Sequence, residues 1–285
     1  STSRRQRQMC IRDREKTAGF FLMLFIVAGT FAVVYGILYV ANLIHPVLRF
    51  CLETFFIYQI LATKSLKTES MKVYKKLKEG DLIGARKEVS YLVGRDTENL
   101  DESEVAKADV ETIAENTADG VIAPMLFIAI GGAPLGFAYK AVNTLDSMVA
   151  YKNEELINIG FFSAKMDDIC NFIPARFAAV MLMIASLILR FDFKGAVKIF
   201  KRDRFAHLSP NSAQTEAVAA GALQIQLGGT HNYFGKAVVK PTIGDDIRPV
   251  EYEDIKRTNQ LLYVSAVLSM AVCCLITFLI YVQLF

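Results

Sequence analysis

The sequence predicts an all-α, polytopic integral membrane protein with broken or re-entrant helices and cytoplasmic helical loops. Two uncharged apolar segments, about 19–44 and 261–285, each exceed the ~20 residues that cross ~30 Å of hydrocarbon as a helix. The 285-residue chain is 53% hydrophobic, which is high for a soluble domain. Basic residues are concentrated in Lys64–Arg95 and Arg190–Arg204, and the positive-inside rule places both segments in the cytoplasm.

Three further segments are candidate crossings. Residues 47–62 predict the second arm of a hairpin turned at His45-Pro46. Residues 121–139 and 172–189 are partial or full crossings, and the first of them contains Gly131-Gly132 and two prolines. These residues interrupt helices, so the pattern favours a broken or re-entrant helix there.

The remaining segments predict short helices and one extended region. Asp101–Asn116 predicts a helix with acidic residues at its start, where the helix dipole favours them. Ser209–Ile225 predicts a helix capped by Ser209 with Pro210 at its first position, and 230–249 is turn-rich and extended. We expect residues 1–16 to be a non-native or basic flank, and 17–285 to form a single membrane-embedded helical catalytic domain.

Three carboxylates predict the first polar cluster. Glu111, Glu115 and Asp119 are spaced four residues apart, so a regular helix would place them on one face. Like charges at this spacing repel unless a cation lies between them, and the sequence that follows is apolar. The pattern indicates a metal or substrate site, with a structural ion-pair network as the alternative.

Two further clusters follow along the chain. Lys140, Asn143 and Asp146 recur every three residues. The motif DDxxN at Asp167, Asp168 and Asn171 carries oxygen ligands of the kind that Mg²⁺ prefers, although many surface helices contain such a pattern. Arg95 and Arg176 are candidate phosphate ligands because a guanidinium binds phosphate oxygens bidentately, but each also suits an ion pair.

Several function classes are disfavoured by the sequence. No basic patch with interleaved aromatic residues is present, which argues against nucleic acid as a partner. The segment Gly229–Lys236 has five residues between its glycines and Ala237 after its lysine, so it is not a Walker A motif.

The motifs together resemble a known family. VGRDT, ETIAENTADGVIAP, YKAVNTLDSM and the DDxxN motif, with SPN and LGG further on, are similar to the adenosylcobinamide-phosphate synthase (CbiB/CobD) family of cobalamin biosynthesis. The resemblance covers roughly residues 17–270. The family pattern has an earlier apolar helix and a His-Pro-Val element before the segment that matches Gly19, so we expect this chain to be N-terminally truncated.

The resemblance implies an activity. It implies ATP-dependent amide formation between the carboxyl group of adenosylcobyric acid and aminopropanol phosphate or a related amino-alcohol, with Mg²⁺. We expect the catalytic residues to be Glu111, Glu115, Asp119 and Asp146. We expect the Mg²⁺ ligands to be Asp167, Asp168 and Asn171. We expect substrate and nucleotide binding by Arg95, Lys140, Asn143, Arg176, Asn116, Ser209 and Asn211.

The resemblance also implies a location. We expect a multi-pass protein of the cell membrane that contacts lipid, with an active site facing the cytoplasm, where ATP and the corrinoid are found. The clusters must then reach one side, so we expect that neither 121–139 nor 172–189 crosses fully. Other cobalamin-pathway enzymes are possible partners.

Two other function classes stay open. A membrane prenyltransferase would use diphosphate–Mg²⁺ motifs that Asp146 and Asp167-Asp168 loosely resemble, but it needs more apolar helices. A non-enzymatic transporter would account for charges within the membrane, but the chain shows no paired halves.

Overall fold

A computed structural model describes residues 2–149, 157–233 and 235–284, without the side chains of 2–13, 281, 283 and 284. The helices are α1 (Thr2–Ile44), α2 (Pro46–Ile60), α3 (Thr63–Lys78), α4 (Leu82–Ser90), α5 (Glu102–Asn116), a π-helix (Thr117–Ile122), α6 (Ala123–Val149), α7 (Phe161–Cys170), α8 (Phe172–Ile188), α9 (Phe193–Asp203), α10 (Ser212–Leu223) and α11 (Tyr252–Leu284). Strands β1 (Leu227–Tyr233) and β2 (Lys236–Ile243) pair antiparallel.

The chain forms two compact units. Unit 1 comprises Ser1–Leu61, Pro124–Asn171 and Ile276–Phe285. Unit 2 comprises Ala62–Ala123 and Phe172–Leu275.

The candidate membrane spans agree with an all-α polytopic membrane protein. Three helical stretches, Arg14–Ile44, Glu102–Val149 and Tyr252–Ile280, are long and apolar enough to cross a membrane. A fourth exists if Phe161–Cys170 and Phe172–Ile188 count as one broken span. Helix α2 has 15 residues, about 22 Å of rise, which is less than the ~30 Å of hydrocarbon. A full crossing by 47–62 therefore stays a prediction.

Unit 1 is built around a helical hairpin. His45 ends α1 and its Nδ1 accepts a hydrogen bond from the Val47 N–H at 3.2 Å, which caps α2 at the predicted turn. Val34 and Leu38 of α1 pack with Ala133 of α6 in a small apolar core. Partly buried residues of α2 and α6 extend this core (Leu52, Phe56, Ile57 and Phe137).

Helix α6 is broken within its apolar sequence, as the Gly-Pro pattern predicts. Gly131 has φ −137° and ψ 19°, and Gly132 has φ 66° and ψ −164°, a conformation that only glycine adopts readily. The freed backbone groups find side-chain partners. The Ala133 N–H donates to Glu53 Oε1 at 3.4 Å, and Thr277 Oγ1 donates to the Ala129 carbonyl at 3.2 Å.

Unit 2 packs around α10. Every residue of α10 is buried, and the helix contacts α5, α8, α9 and β2. Its small residues allow close approach: a Cβ placed on Gly221 would lie 2.4 Å from the Gly195 carbonyl oxygen of α9. Backbone atoms cannot move aside as a flexible side chain does, so Gly221 sets the distance between α9 and α10.

Helix α5 begins as the sequence predicts and ends in an unexpected way. Asp101 and Glu104 form a capping box at its start. After Asn116 the chain continues as a π-helix, in which the Ala123 N–H donates to the Ala118 carbonyl five residues earlier. A π-helix has more residues per turn than an α-helix, so the regular α-helical spacing does not apply to Thr117–Ile122.

Two details differ from the sequence prediction. Helix α10 begins at Ser212 rather than at Pro210, and its N-cap Asn211 makes no capping hydrogen bond. The Ser209 hydroxyl instead accepts a hydrogen bond from the Asn211 N–H at 3.3 Å, within a turn before the helix. The extended segment 230–249 contains most of a β-hairpin, which we did not predict, and its pairing is irregular between Gly228 and Gly229.

The close contact of α9 with α10 predicts the effect of one methyl group. Gly221→Ala should lower the free energy of unfolding by about 1–3 kcal/mol through overpacking against backbone. Gly36→Ala is the matched control, since a Cβ there has no neighbour within 4 Å and should be neutral or slightly stabilising. Thermal unfolding in detergent would measure both, and equal behaviour of the two variants would contradict the packing argument.

Candidate active site

A polar cavity of about 150 Å³ lies within unit 2. Four parts of the chain form its walls: the segment after α4, one face of α5, the region around the start of α10, and the β-hairpin. The polar and charged residues in its lining are Arg95, Glu111, Thr112, Glu115, Asn116, His207, Glu216, His231, Tyr233 and Lys240.

Arg95 is the centre of the hydrogen-bond network on one wall. Its Nη2 forms an ion pair with Glu111 Oε2, and its Nη1 lies 2.6 Å from His231 Nδ1. Glu111 Oε1 also accepts a hydrogen bond from the Gly228 N–H at 2.7 Å. The Arg95 side chain is only 7% exposed, so its charge depends on this pairing.

His231 is held in its neutral form. Burial, followed by the charge of Arg95, lowers the pKa of His231 to about 4. A guanidinium N–H can only donate, so the ring nitrogen that faces Arg95 must accept. The geometry and the pKa therefore agree, and His231 carries no charge near neutral pH.

Glu115 faces the start of α10. Its Oε1 accepts a hydrogen bond from the Ser212 hydroxyl at 2.7 Å. The nearby His207 accepts from the Ser209 N–H through Nδ1 at 3.0 Å, and burial lowers its pKa. Asn116 lines the cavity too, although its amide also donates to the Thr112 carbonyl at 2.9 Å.

Glu216 is a functional candidate that the sequence reading missed. It lies on α10, is 5% exposed and lines the cavity. Burial, reinforced by the charges of Glu115 and Glu111, raises its pKa well above the usual range of a glutamate. The signal was available, because Glu216 is the one charged residue in the apolar sequence of α10.

The hairpin supplies residues that the sequence reading also missed. His231 lies on β1 and Lys240 on β2, where Lys240 pairs with Gly229. Glu115 and Glu216 act electrostatically on Lys240. Turn-rich composition alone did not identify these residues, because their approach to α5 depends on contacts with distant parts of the chain.

Several predicted residues of unit 2 lie outside this cavity lining. Asp119 lies in the π-helix that follows Asn116 and is not among the residues that line the cavity. Arg176 lies 3.7 Å from the ring centre of Phe172, and its Nη1 donates to Asn211 Oδ1 at 3.4 Å. Ser209, near the start of α10, likewise does not line the cavity.

The remaining predicted residues belong to unit 1, where several of them interact with one another. Asp167 accepts hydrogen bonds from Asn171, at 3.0 Å, and from Asn143, and the charges of Asp146 and Asp168 act on it. Asn171 is buried and also accepts from the Tyr139 hydroxyl at 2.8 Å.

Two other predicted residues belong to unit 1. Lys140 lies on α6, one residue beyond Tyr139. Asp168 lies 3.5 Å from Lys165 Nζ. The structure thus brings together the Asn143–Asp146 motif and the DDxxN motif, as one group.

One feature of the predicted Mg²⁺ ligands is compatible with a bound cation. Asp167 Oδ1 is buried and has no hydrogen-bond partner among the described residues, so it has capacity for a ligand. No group of three or more His, Cys, Asp or Glu side chains in the described part of the chain is arranged to hold a metal. Binding of Mg²⁺ by Asp167, Asp168 and Asn171 therefore stays a prediction.

The neutral state of His231 predicts a pH dependence of stability. The unfolded state binds a proton at about pH 6.5 and the folded state only at about 4, so stability should fall as pH decreases through this window. The loss should reach roughly 3 kcal/mol for this group.

Comparison with His231→Gln isolates this effect, because glutamine keeps an acceptor for Arg95 but does not titrate. The difference in unfolding free energy between the two proteins should change between pH 7 and pH 4.5 in detergent. If the difference in unfolding free energy does not change with pH, His231 does not have a lowered pKa in the folded protein. The comparison is needed because the raised pKa of Glu216 acts in the opposite direction in the parent protein.

Comparison with known proteins identifies the family. The model of the CobD/Cbib protein family matches residues 2–262. The cobalamin biosynthesis protein CobD of Clostridium perfringens is 55% identical over 261 residues, which cover 92% of this chain and 83% of the relative. CobD of Streptococcus sanguinis is 51% identical, over 90% of this chain and 83% of the relative.

A third relative carries the other family name. The cobalamin biosynthesis protein CbiB of Salmonella choleraesuis is 46% identical, over 93% of this chain and 83% of the relative. No solved structure matches the chain. Because the family model and these relatives cover nearly the whole chain, the protein belongs to the CobD/CbiB family.

Proposed function

We propose that this chain acts in cobalamin biosynthesis as an ATP-dependent acid–amine ligase. It would join the carboxyl group of adenosylcobyric acid to aminopropanol phosphate, or a related amino-alcohol, and form adenosylcobinamide phosphate. The names of the relatives support the pathway. The reaction itself rests on the resemblance of the motifs and on the chemistry of the cavity in unit 2.

The observation that carries the proposal is the buried carboxyl group of Glu216. An amine attacks a carbonyl carbon only after it loses a proton, so the ligase needs a base whose pKa lies near the working pH. An ordinary glutamate is too weak a base for this purpose. Burial raises the pKa of Glu216 well above the usual range, in a position that lines the cavity.

The rest of the cavity lining suits the same reaction. Glu115 and Glu111 would attract the cationic amine toward Glu216. Lys240 and Arg95 would stabilise negative charge that develops on the carbonyl oxygen or on a phosphate. ATP would supply the phosphoryl group that turns a carboxylate into a better acyl donor, with Mg²⁺ held by the predicted carboxylates.

Localisation follows from the apolar helices together with the basic loops. We place the protein in the cell membrane with the cavity of unit 2 on the cytoplasmic side. Helices α3 and α9, both in unit 2, carry basic residues, which supports a cytoplasmic position for unit 2. Partners would be lipid and the two substrates, with other cobalamin-pathway enzymes possible.

Turnover of the detergent-purified protein tests the proposal. Adenosylcobyric acid, aminopropanol phosphate, ATP and Mg²⁺ should give a corrinoid whose mass matches amide formation, and omission of ATP should abolish it. Absence of this product with every amino-alcohol tested, while the protein remains folded, would contradict the ligase assignment.

The role of Glu216 predicts a selective loss of activity. Glu216→Gln should lower kcat by about 100-fold or more, because general base catalysis contributes roughly 10²–10⁴-fold. Its melting temperature should be unchanged or higher, since glutamine has nearly the same shape and removes the cost of a buried carboxylate charge. The exposed Glu98→Gln is the matched control. Normal turnover by Glu216→Gln would remove this residue from the mechanism.

A further inference from the structure

A second cavity, of about 540 Å³, adjoins the first within unit 2. Arg95, His231 and Gly228 line both cavities, so the two cavities lie next to each other. The second cavity is further lined by Lys107 of α5 and by polar residues of the hairpin, among them Thr230 and Asn232.

Lys107 is the unusual residue of this second cavity. It is partly buried on α5, and its ammonium has no hydrogen-bond or ion-pair partner among the described side chains. A Cβ placed on Gly229 would lie 3.9 Å from Lys107 Nζ and would meet nothing else within 4 Å. The space beside the ammonium is therefore open toward the hairpin.

The acidic residues of the second cavity already have partners. Glu104 accepts a hydrogen bond from the Asp101 N–H at 2.9 Å in the capping box. Asp96 Oδ2 accepts from the Gly235 N–H at 2.8 Å. Arg95 is paired with Glu111 and His231. Of the two cations in this lining, Lys107 is thus the one whose N–H donors have no partner among the described residues. The neutral polar side chains of Thr230 and Asn232 line the same cavity.

We propose that the second cavity is a phosphate-binding subsite, in which Lys107 binds the phosphate of a small phosphorylated substrate. This inference rests on the proposed function. An ammonium with three donors suits a tetrahedral phosphate, and a partly buried position strengthens the attraction.

The adjoining cavities favour the amino-alcohol phosphate over ATP as the source of this phosphate. An amino-alcohol phosphate carries a negative group at one end and a cationic amine at the other. Lys107 lies in the second cavity, whereas Glu115 and Glu216 line the first. This distribution of charge matches such a zwitterion and places its amine beside the proposed base.

Binding measurements on the detergent-purified full chain test the subsite without requiring turnover. We expect Lys107→Ala to raise the Kd of aminopropanol phosphate about 10- to 100-fold, the usual effect of removing a hydrogen bond to a charged group. The Kd of aminopropanol, which lacks the phosphate, should not change. Lys107→Arg should retain most of the affinity, and the exposed Lys201→Ala should behave as the parent protein does.

The arms of this experiment separate the possible phosphate sources. A loss confined to aminopropanol phosphate would identify the amino-alcohol, and a loss confined to ATP would identify the nucleotide. If a folded Lys107→Ala protein binds aminopropanol phosphate and ATP with unchanged affinity, the proposed phosphate subsite is wrong, even if the parent protein forms the amide. Phosphate-dependent binding at Lys107 without any turnover would count against the ligase assignment alone.

Discussion

The paired charge of Arg95 and Glu111 is the constraint on which the candidate site depends. Arg95 lies in the segment after α4, Glu111 lies on α5, and the Gly228 N–H and His231 belong to the hairpin. Three elements distant in sequence thus meet at one ion pair. Each charge is largely buried, so loss of either partner would leave the other without compensation in a medium that solvates it poorly. The same network keeps His231 neutral and shapes both cavities.

Local signals made much of the fold predictable. His45-Pro46 ends α1 and starts α2, Asp101 and Glu104 cap α5, and Gly131-Gly132 breaks α6. Each of these features depends on residues within a few positions of one another, so one sequence suffices to find it. The apolar segments at both ends are similarly clear, because about 20 uncharged apolar residues have few alternatives to a membrane helix.

The candidate site was predicted only in part, because its geometry depends on long-range contacts. Glu111 and Glu115 were found by their helical spacing, but their partners Gly228 and Ser212 lie 117 and 97 residues away. Asp119 lies in the π-helix, which is not visible in residue spacing, and it is not among the residues that line the cavity. Asn143 and Asp167 were predicted as members of two clusters, and nothing in the sequence indicated that these two clusters form one group.

The hydrogen bond between Glu53 and the broken helix α6 has a consequence for how the protein is made. Helix α2 is short and carries Arg49 and Glu53, so by itself it would enter lipid poorly. The Ala133 N–H that satisfies Glu53 is synthesised 80 residues later. This partner of Glu53 does not exist until α6 has been made, so we expect α2 to reach its final packing in unit 1 only after α6 is synthesised.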